Sequence, residues 1–331
     1  MIMKRILVVR LSALGDVAMT VPVIYSVAQQ YPQVRFTIVT RPFFRRLFIC
    51  APENVNFVDF DSKNYKGFGG LLRFIAKLKK EHFDAVADLH DILRSRIIRT
   101  TFRLGGTKVA VVNKERRARK LLINHKLHAW QRNYVDRYAD VFAQLGYPVE
   151  VNFKGFFQVE ANERSGVGIA PFARYDTKAY PSALMERVAR GLTERGVAVT
   201  LFGAKGPEQA ELEQWVQRNP ALKTLAGKLP IEEELQAMSK LQLMITMDSA
   251  NMHLASLVGT RVISIWGSTI PACGFLGYGQ SASDAVSLGL QCQPCSVAGL
   301  RACPLGHCNC LNTLSPGIIL EKCQGIEGIK E

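Results

Sequence analysis

The chain reads as two doubly wound α/β domains in tandem, each built on its own parallel sheet, with a cleft between them as the expected ligand site. Three observations predict this. Short apolar runs alternate with helical patterns through the first half, the alternation lapses over residues 147–162, and it then restarts. The length of 331 residues suits two cores, since single domains cluster near about 100–150 residues. Hydrophobic content of 48% with 21% charge is ordinary for a soluble protein, and no apolar run reaches the roughly 20 residues a membrane helix needs. The expected domains are 1–155 and 156–331.

In the first half the run Ile6, Leu7, Val8 and Val9 opens a strand over 6–9, followed by a helix over 17–30. Further strands are expected at 36–39, 55–58, 85–88 and 108–112, with helices at 43–50, 70–80, 92–102 and 133–145. That order requires parallel pairing with helical crossovers. Residues 147–162 carry Pro148, Gly155 and little periodicity, which is linker chemistry. The second half repeats the scheme with strands at 167–170, 197–202, 241–246 and 262–266. Its helices are expected at 182–194, 207–216, 231–238 and 250–257. No short sequence repeat accompanies this architectural duplication.

The first loop where chemistry could gather is Arg10 to Pro22. A dinucleotide-binding turn needs the spacing G-x-G-x-x-G, and here only Gly15 is present. Asp16 beside that turn would repel phosphate, so the loop is better suited to presenting a carboxylate to an uncharged hydroxyl. The plainer reading is helix chemistry, with Ser12 or Asp16 as a cap and Asp16 favoured by the macrodipole.

Charge is divided unevenly. Of the net +14, the whole excess lies in residues 1–160, which hold 27 Lys or Arg against 13 Asp or Glu, while the remainder holds 15 of each. It is densest from Arg94 to Arg137, through Lys114, Arg116, Arg117, Arg119 and Lys120. A one-sided basic field predicts a polyanionic partner: nucleic acid, an anionic membrane surface or a phosphorylated glycolipid. The alternative is a merely solvated basic face. Lys4 and Arg5 precede an apolar stretch that Arg10 breaks, a pattern unlike a secretory signal, and the expected location is cytoplasmic.

A second loop pair leaves the carboxyl ends of later strands: Met247-Asp-Ser-Ala-Asn-Met-His253 before a helix, and Gly267-Ser-Thr269. Ligands in open α/β sheets bind at that edge, and free amides at a helix start suit a diphosphate. Asp248 or Ser249 could equally be an N-cap, and His253 a structural histidine.

Together these segments resemble glycosyltransferase family 9, the heptosyltransferases of lipopolysaccharide inner-core synthesis. The resemblance rests on Arg10-Leu-Ser-Ala-Leu-Gly-Asp16, Pro171-Phe-Ala-Arg174-Tyr-Asp-Thr-Lys178-Ala-Tyr-Pro181, Asp248-Ser-Ala-Asn-Met-His253-Leu-Ala, Gly267-Ser-Thr269 and a cysteine-bearing tail, in order from residue 4 to about residue 320. It implies the GT-B architecture, with an acceptor-binding first domain and a nucleotide-sugar-binding second one. It implies inversion at the anomeric carbon without a catalytic metal or other cofactor. Asp16 then matches the family's proposed base, with Ser12, Gly15, Arg117 and Lys120 on the acceptor side. Lys178, together with Arg174, Asp248, Ser249, Ala250, Met252, His253, Gly267 and Thr269, matches the donor side. Where the family usually has Gly-Pro after Asp-Ser, this chain has Ala250-Asn251. The implied donor is ADP-heptose and the acceptor a phosphorylated, lipid-linked core sugar at the cytoplasmic face of the inner membrane. The competing readings are another nucleotide-sugar donor, a GT-B epimerase, or a nucleic-acid-binding protein using residues 94–137.

Six of the eight cysteines lie between residues 292 and 323. Cys292, Cys295, Cys303 and Cys310 have ligand-like spacing for structural zinc, with His307 or Cys308 as substitutes. Their alternative is to pack as small buried apolar groups.

Overall fold

The computed structural model describes residues 3–300 and 302–324. The chain divides into two compact units, one running to Lys114 and including Tyr134–Lys154, the other formed by Glu115–Asn133 and the chain from Gly155 onward.

The first unit is a five-stranded sheet of Lys4–Val9 (β1), Val34–Thr40 (β2), Val55–Asp59 (β3), Ala85–Asp88 (β4) and Lys108–Val111 (β5). The order is β3-β2-β1-β4-β5, and every pairing is parallel. The chain winds outward from β1 to β3 and then returns to place β4 on the other flank. The crevice between the ends of β1 and β4 is therefore a topological switch point, where a doubly wound sheet opens for a ligand. Continuous apolar strands such as Ile6–Val9 are what a sheet covered on both faces requires, and these four residues are wholly buried.

The expected helix over 17–30 is two helices, Leu14–Ala18 and Val21–Gln30. Pro22 explains the break, since it lies within the first two positions of the second helix, where a missing N–H costs no helical hydrogen bond. The segment expected as a helix over 43–50 is a single turn, Pro42–Arg45. Helix Arg116–Ile123 was not expected, because four of its eight residues are Arg or Lys and only Leu122 is buried.

The second unit holds a six-stranded sheet of Val167–Ala170 (β6), Val199–Leu201 (β7), Leu222–Thr224 (β8), Leu243–Met247 (β9), Arg261–Ile265 (β10) and Ala285–Val286 (β11). Its order is β11-β10-β9-β6-β7-β8, again all parallel. Here the switch point falls between β6 and β9. The strands β8 and β11 were missed because three and two residues at a sheet's margins leave no periodicity to read. The core is continuous from Val167 and Ile169 through Trp215 and Ile245 to Leu311 and Ile319 on the tail.

The basic stretch 94–137 is divided between the two units. Arg94 to Lys114 belong to the first unit, whereas Arg117 and Lys120, expected within a domain 1–155, lie on the helix Arg116–Ile123 of the second. Among the described residues no helix is long and apolar enough to cross a membrane.

Candidate functional site

At the first switch point the loop after β1 meets the loop after β4. Arg10, only 5% exposed, donates through Nη1 to the Leu89 carbonyl at 2.7 Å and to the Tyr138 hydroxyl at 3.0 Å. Its Nη2 lies 2.8 Å from Asp16 Oδ2. The same oxygen accepts the Ala13 N–H at 3.2 Å, so Asp16 does close the helix start as a cap would. Its side chain nonetheless keeps 31% of its surface exposed. Cap and presented carboxylate are thus one arrangement: Arg10 and the Ala13 amide fix one oxygen while the group still reaches solvent.

His90 sits behind this loop. The Leu11 N–H donates to His90 Nδ1 at 3.3 Å, which assigns the ring proton to Nε2, and Nε2 is 3.5 Å from the Ser12 hydroxyl. Burial, with the nearby Arg10 and Lys114 charges, pushes the imidazole down to about 3, so it is neutral at physiological pH. Asp88, fully buried, holds the loop by accepting the His90 and Asp91 N–H groups and pairing with Arg99 at 2.7 Å. Neither Arg10 nor His90 was assigned a role from sequence. The run of apolar strand residues ending on Arg10 was the available signal, since an unpaired arginine at the end of a buried strand is costly.

The second switch point gathers Lys178, Asp248 and Thr269. Lys178 Nζ lies 2.8 Å from Asp248 Oδ2, with 13% and 6% of the two side chains exposed. Thr269 Oγ1 donates to that same oxygen at 2.6 Å. Asp248 is buried and holds Lys178 and Thr269 on one oxygen. Lys178 is brought to the end of β6 by the short helical turn Asp176–Lys178, and Asp248 follows β9 directly.

Ser249 caps helix Ala250–Leu257 in extended backbone, with its hydroxyl 3.1 Å from that of Thr246. The first-turn amides of such a helix have no intrahelical acceptor and carry the positive end of its dipole. Ala250 is half-buried at this start, and His253 is buried one turn in. Met252 is wholly buried, so its side chain belongs to the core. Gly267 is required by packing, since an added Cβ would collide with the Thr177 carbonyl and the Leu311 side chain. Arg174 lies over the Tyr175 ring, 5.4 Å from its centre.

Two further residues at this edge escaped the sequence reading. The Thr177 hydroxyl is buried and joins three segments: it accepts from Ser268 Oγ and the Leu300 N–H, each at 2.9 Å, and donates to the Leu300 carbonyl at 2.7 Å. Glu234, in the first turn of helix Ile231–Ser239, is pushed up to about 7 by burial.

The zinc expectation finds no support in the structure. Among the described residues no group of three or more His, Cys, Asp or Glu side chains is placed to hold a metal ion, and all eight cysteines are free thiols. Cys295 Sγ turns to the Ser268 carbonyl at 3.8 Å and is half-buried. Cys310 is buried in the second core as a small packed group, the alternative the sequence left open.

Two parallel, doubly wound units in tandem are the architecture of the GT-B class, and the comparisons identify the family within it. The sequence model of glycosyltransferase family 9 (heptosyltransferase) matches residues 71–304. Lipopolysaccharide heptosyltransferase 1 of Pseudomonas aeruginosa is 26% identical over 316 residues, 88% of this chain and 86% of that protein. The lipopolysaccharide core heptosyltransferase OpsX of Haemophilus influenzae is 24% identical over 80% of this chain and 79% of its own length. Among solved structures, Escherichia coli heptosyltransferase WaaC with ADP superposes with a TM-score of 0.69 at 19% identity, covering 96% of this chain and 98% of that one. A family 9 glycosyltransferase from Veillonella parvula gives 0.72 at 19% identity, over 97% and 96%. The chain belongs to glycosyltransferase family 9 (heptosyltransferase).

Proposed function

We propose that this glycosyltransferase moves a heptose from ADP-heptose to a phosphorylated lipopolysaccharide inner-core acceptor, with inversion and without a catalytic metal. The observation that carries the reading is Asp16, a carboxylate anchored on one oxygen by Arg10 yet still part-exposed at a switch point. An acceptor hydroxyl is a poor nucleophile. Asp16 takes its proton as the oxygen attacks the anomeric carbon, and the bond from that carbon to the diphosphate breaks. Negative charge then builds on the departing ADP. Lys178 and the first-turn amides of helix Ala250–Leu257 stabilise it, supplying the positive potential that a metal supplies elsewhere.

The donor identity is supported by relatives named as heptosyltransferases and by a related structure solved with ADP-2-deoxy-2-fluoro heptose. The lipid-linked acceptor is supported by their lipopolysaccharide names, and the basic first half fits a peripheral position at an anionic inner-membrane surface. Calorimetry with ADP, UDP and GDP tests the base preference, and transfer from ADP-heptose to a lipopolysaccharide acceptor tests the reaction. Preference for UDP or GDP, or no heptose transfer, would sink the assignment.

A further inference from the structure

The crossovers from β3 to β4 and from β4 to β5 are the helices Gly67–Lys79 and Leu93–Leu104, which pack side by side on one face of the first sheet. Their inner faces are secured: Leu71, Phe74, Ile75 and Leu78 from the first, and Ile98 and Phe102 from the second, share one core with Leu7, Val9 and Val86. Their outer faces are unusual. Phe68 is 65% exposed, Leu72 44%, Leu93 75% and Leu104 85%. Phe68 and Leu72 are one turn apart, and Leu93 and Leu104 are three turns apart, so each pair stands on one side of its helix.

The charge on these helices has one sign. Gly67–Lys79 contains three Lys or Arg and Leu93–Leu104 contains four Arg, and neither contains an Asp or Glu. Arg96 and Arg99 turn back onto Asp91 and Asp88. Arg73, Lys77, Lys79, Arg94 and Arg103 are exposed on the same two helices. A solvated basic helix has no use for an exposed Phe and three exposed Leu, and a phosphate-binding groove for nucleic acid would be weakened by them. Exposed large apolar groups on helices that carry cations and no carboxylate match the boundary of an anionic bilayer, where acyl chains lie just beneath phosphates.

We propose that this two-helix face docks the protein on an anionic lipid surface. Phe68, Leu72, Leu93 and Leu104 enter the headgroup boundary, and Arg73, Lys77, Lys79, Arg94 and Arg103 meet the lipid phosphates. In parallel βαβ units a helix begins at the edge where its preceding strand ends. Phe68 and Leu93 therefore lie at the sheet edge from which the Asp16 loop also leaves, so docking would bring a lipid-linked acceptor to the side that carries the base. The inference deepens the reading of a membrane-linked acceptor and rests on it. Its test is scored without turnover, so the docking face and the heptosyl reaction can fail separately.

Flotation of the full chain with vesicles of phosphatidylglycerol and phosphatidylethanolamine, against vesicles of phosphatidylcholine alone, reads the partition. Binding to the anionic vesicles is expected to exceed that to neutral ones by about tenfold or more and to fall with salt. The combined change Phe68→Ser, Leu72→Ser, Leu93→Ser and Leu104→Ser should lower binding about tenfold or more with the melting temperature unchanged, because these side chains are outside the core. Reversal of Arg73, Lys77, Arg94 and Arg103 to Glu should do the same. The control Lys205→Glu, Lys223→Glu and Lys228→Glu, exposed lysines of the second unit, should bind within about twofold of the native chain. Native-like binding by either face variant overturns the proposal, as does detachment of the control alone. Tight binding to duplex DNA that ignores the apolar changes would also overturn it, and would mark the face as a polyanion site.

Discussion

Lys178 Nζ and Asp248 Oδ2 are 2.8 Å apart at the switch point of the second sheet, and Thr269 donates to the same oxygen. A buried ion pair is weak evidence for stability, but removing one partner strands the other. Lys178→Ala is expected to lower both donor affinity and kcat, since the ammonium is assigned to the leaving diphosphate. Asp248→Ala should destabilise the fold by about 3–5 kcal/mol, whereas Lys178→Met with Asp248→Asn should cost less than the two single changes added together. Thermal melts of the four proteins read the coupling. Strict additivity would show that the pair is not interacting, and an unaltered donor affinity in Lys178→Ala would remove it from the diphosphate site.

Asp16 and Arg10 pose a sharper question, because base and anchor should separate kinetically. Asp16→Ala should abolish turnover while ADP-sugar affinity stays near the native value; collapse of donor binding would show that Asp16 is not the base. Arg10→Gln leaves Asp16 in place but removes its buried anchor, as well as donors to Leu89 and Tyr138. It should lower kcat and cost about 2–4 kcal/mol of stability. Full activity in Arg10→Gln would mean that Asp16 needs no positioning.

His90 gives stability a pH dependence with a definite sign. Its folded-state pKa is near 3 while an unfolded histidine titrates near 6.5, so between these values the unfolded chain binds the extra proton. Its contribution is intact above about pH 6.5 and falls as pH drops, by up to about 1.4 kcal/mol per unit within the window. Glu234 acts oppositely: raised to about 7, it makes stability fall as pH rises from its ordinary value toward 7. The two oppose each other over their shared range. A net curve is therefore uninformative, and the difference between native protein and His90→Gln isolates the histidine. That difference should shrink as pH is lowered from 6.5 to 4; a constant difference would contradict a buried neutral imidazole.

Much of the architecture was legible where chemistry and period agree. Strand β6 and helices Ser182–Glu194 and Ala250–Leu257 fall where the pattern put them, because each apolar run is bounded by residues that start or stop its element. Helix Arg116–Ile123 was illegible as structure, since its sequence is dominated by charge and only Leu122 is buried. At the sites, Asp16, Lys178 and Asp248 could be named from local segments. The partners that orient them could not, because Arg10 with Leu89 and Thr177 with Leu300 are 79 and 123 residues apart and meet only through the sheet order. A buried hydrogen-bond hub such as Thr177 has no periodic signature.

The cysteine tail allows a test that decides between packing and metal ligation. Backbone N–H groups, that of Cys308 first, lower the Cys303 thiol, whereas burial pushes Cys310 up to about 11 and Cys323 to about 12. The thiolate is the reactive form, so an alkylating reagent near pH 7.5 should modify Cys303 before Cys310 or Cys323, both of which should stay protected until the chain unfolds. Cys295 is raised chiefly by burial and should react more slowly than Cys303. A zinc ion held by Cys292, Cys295, Cys303 and Cys310 would erase this ranking, protecting all four until a chelator is added. Mass spectrometry of the peptides after brief labelling, with and without chelator, reads the order. Uniform protection released by chelator would restore the metal site, and fast labelling of Cys303 regardless of chelator would establish the packed, metal-free arrangement.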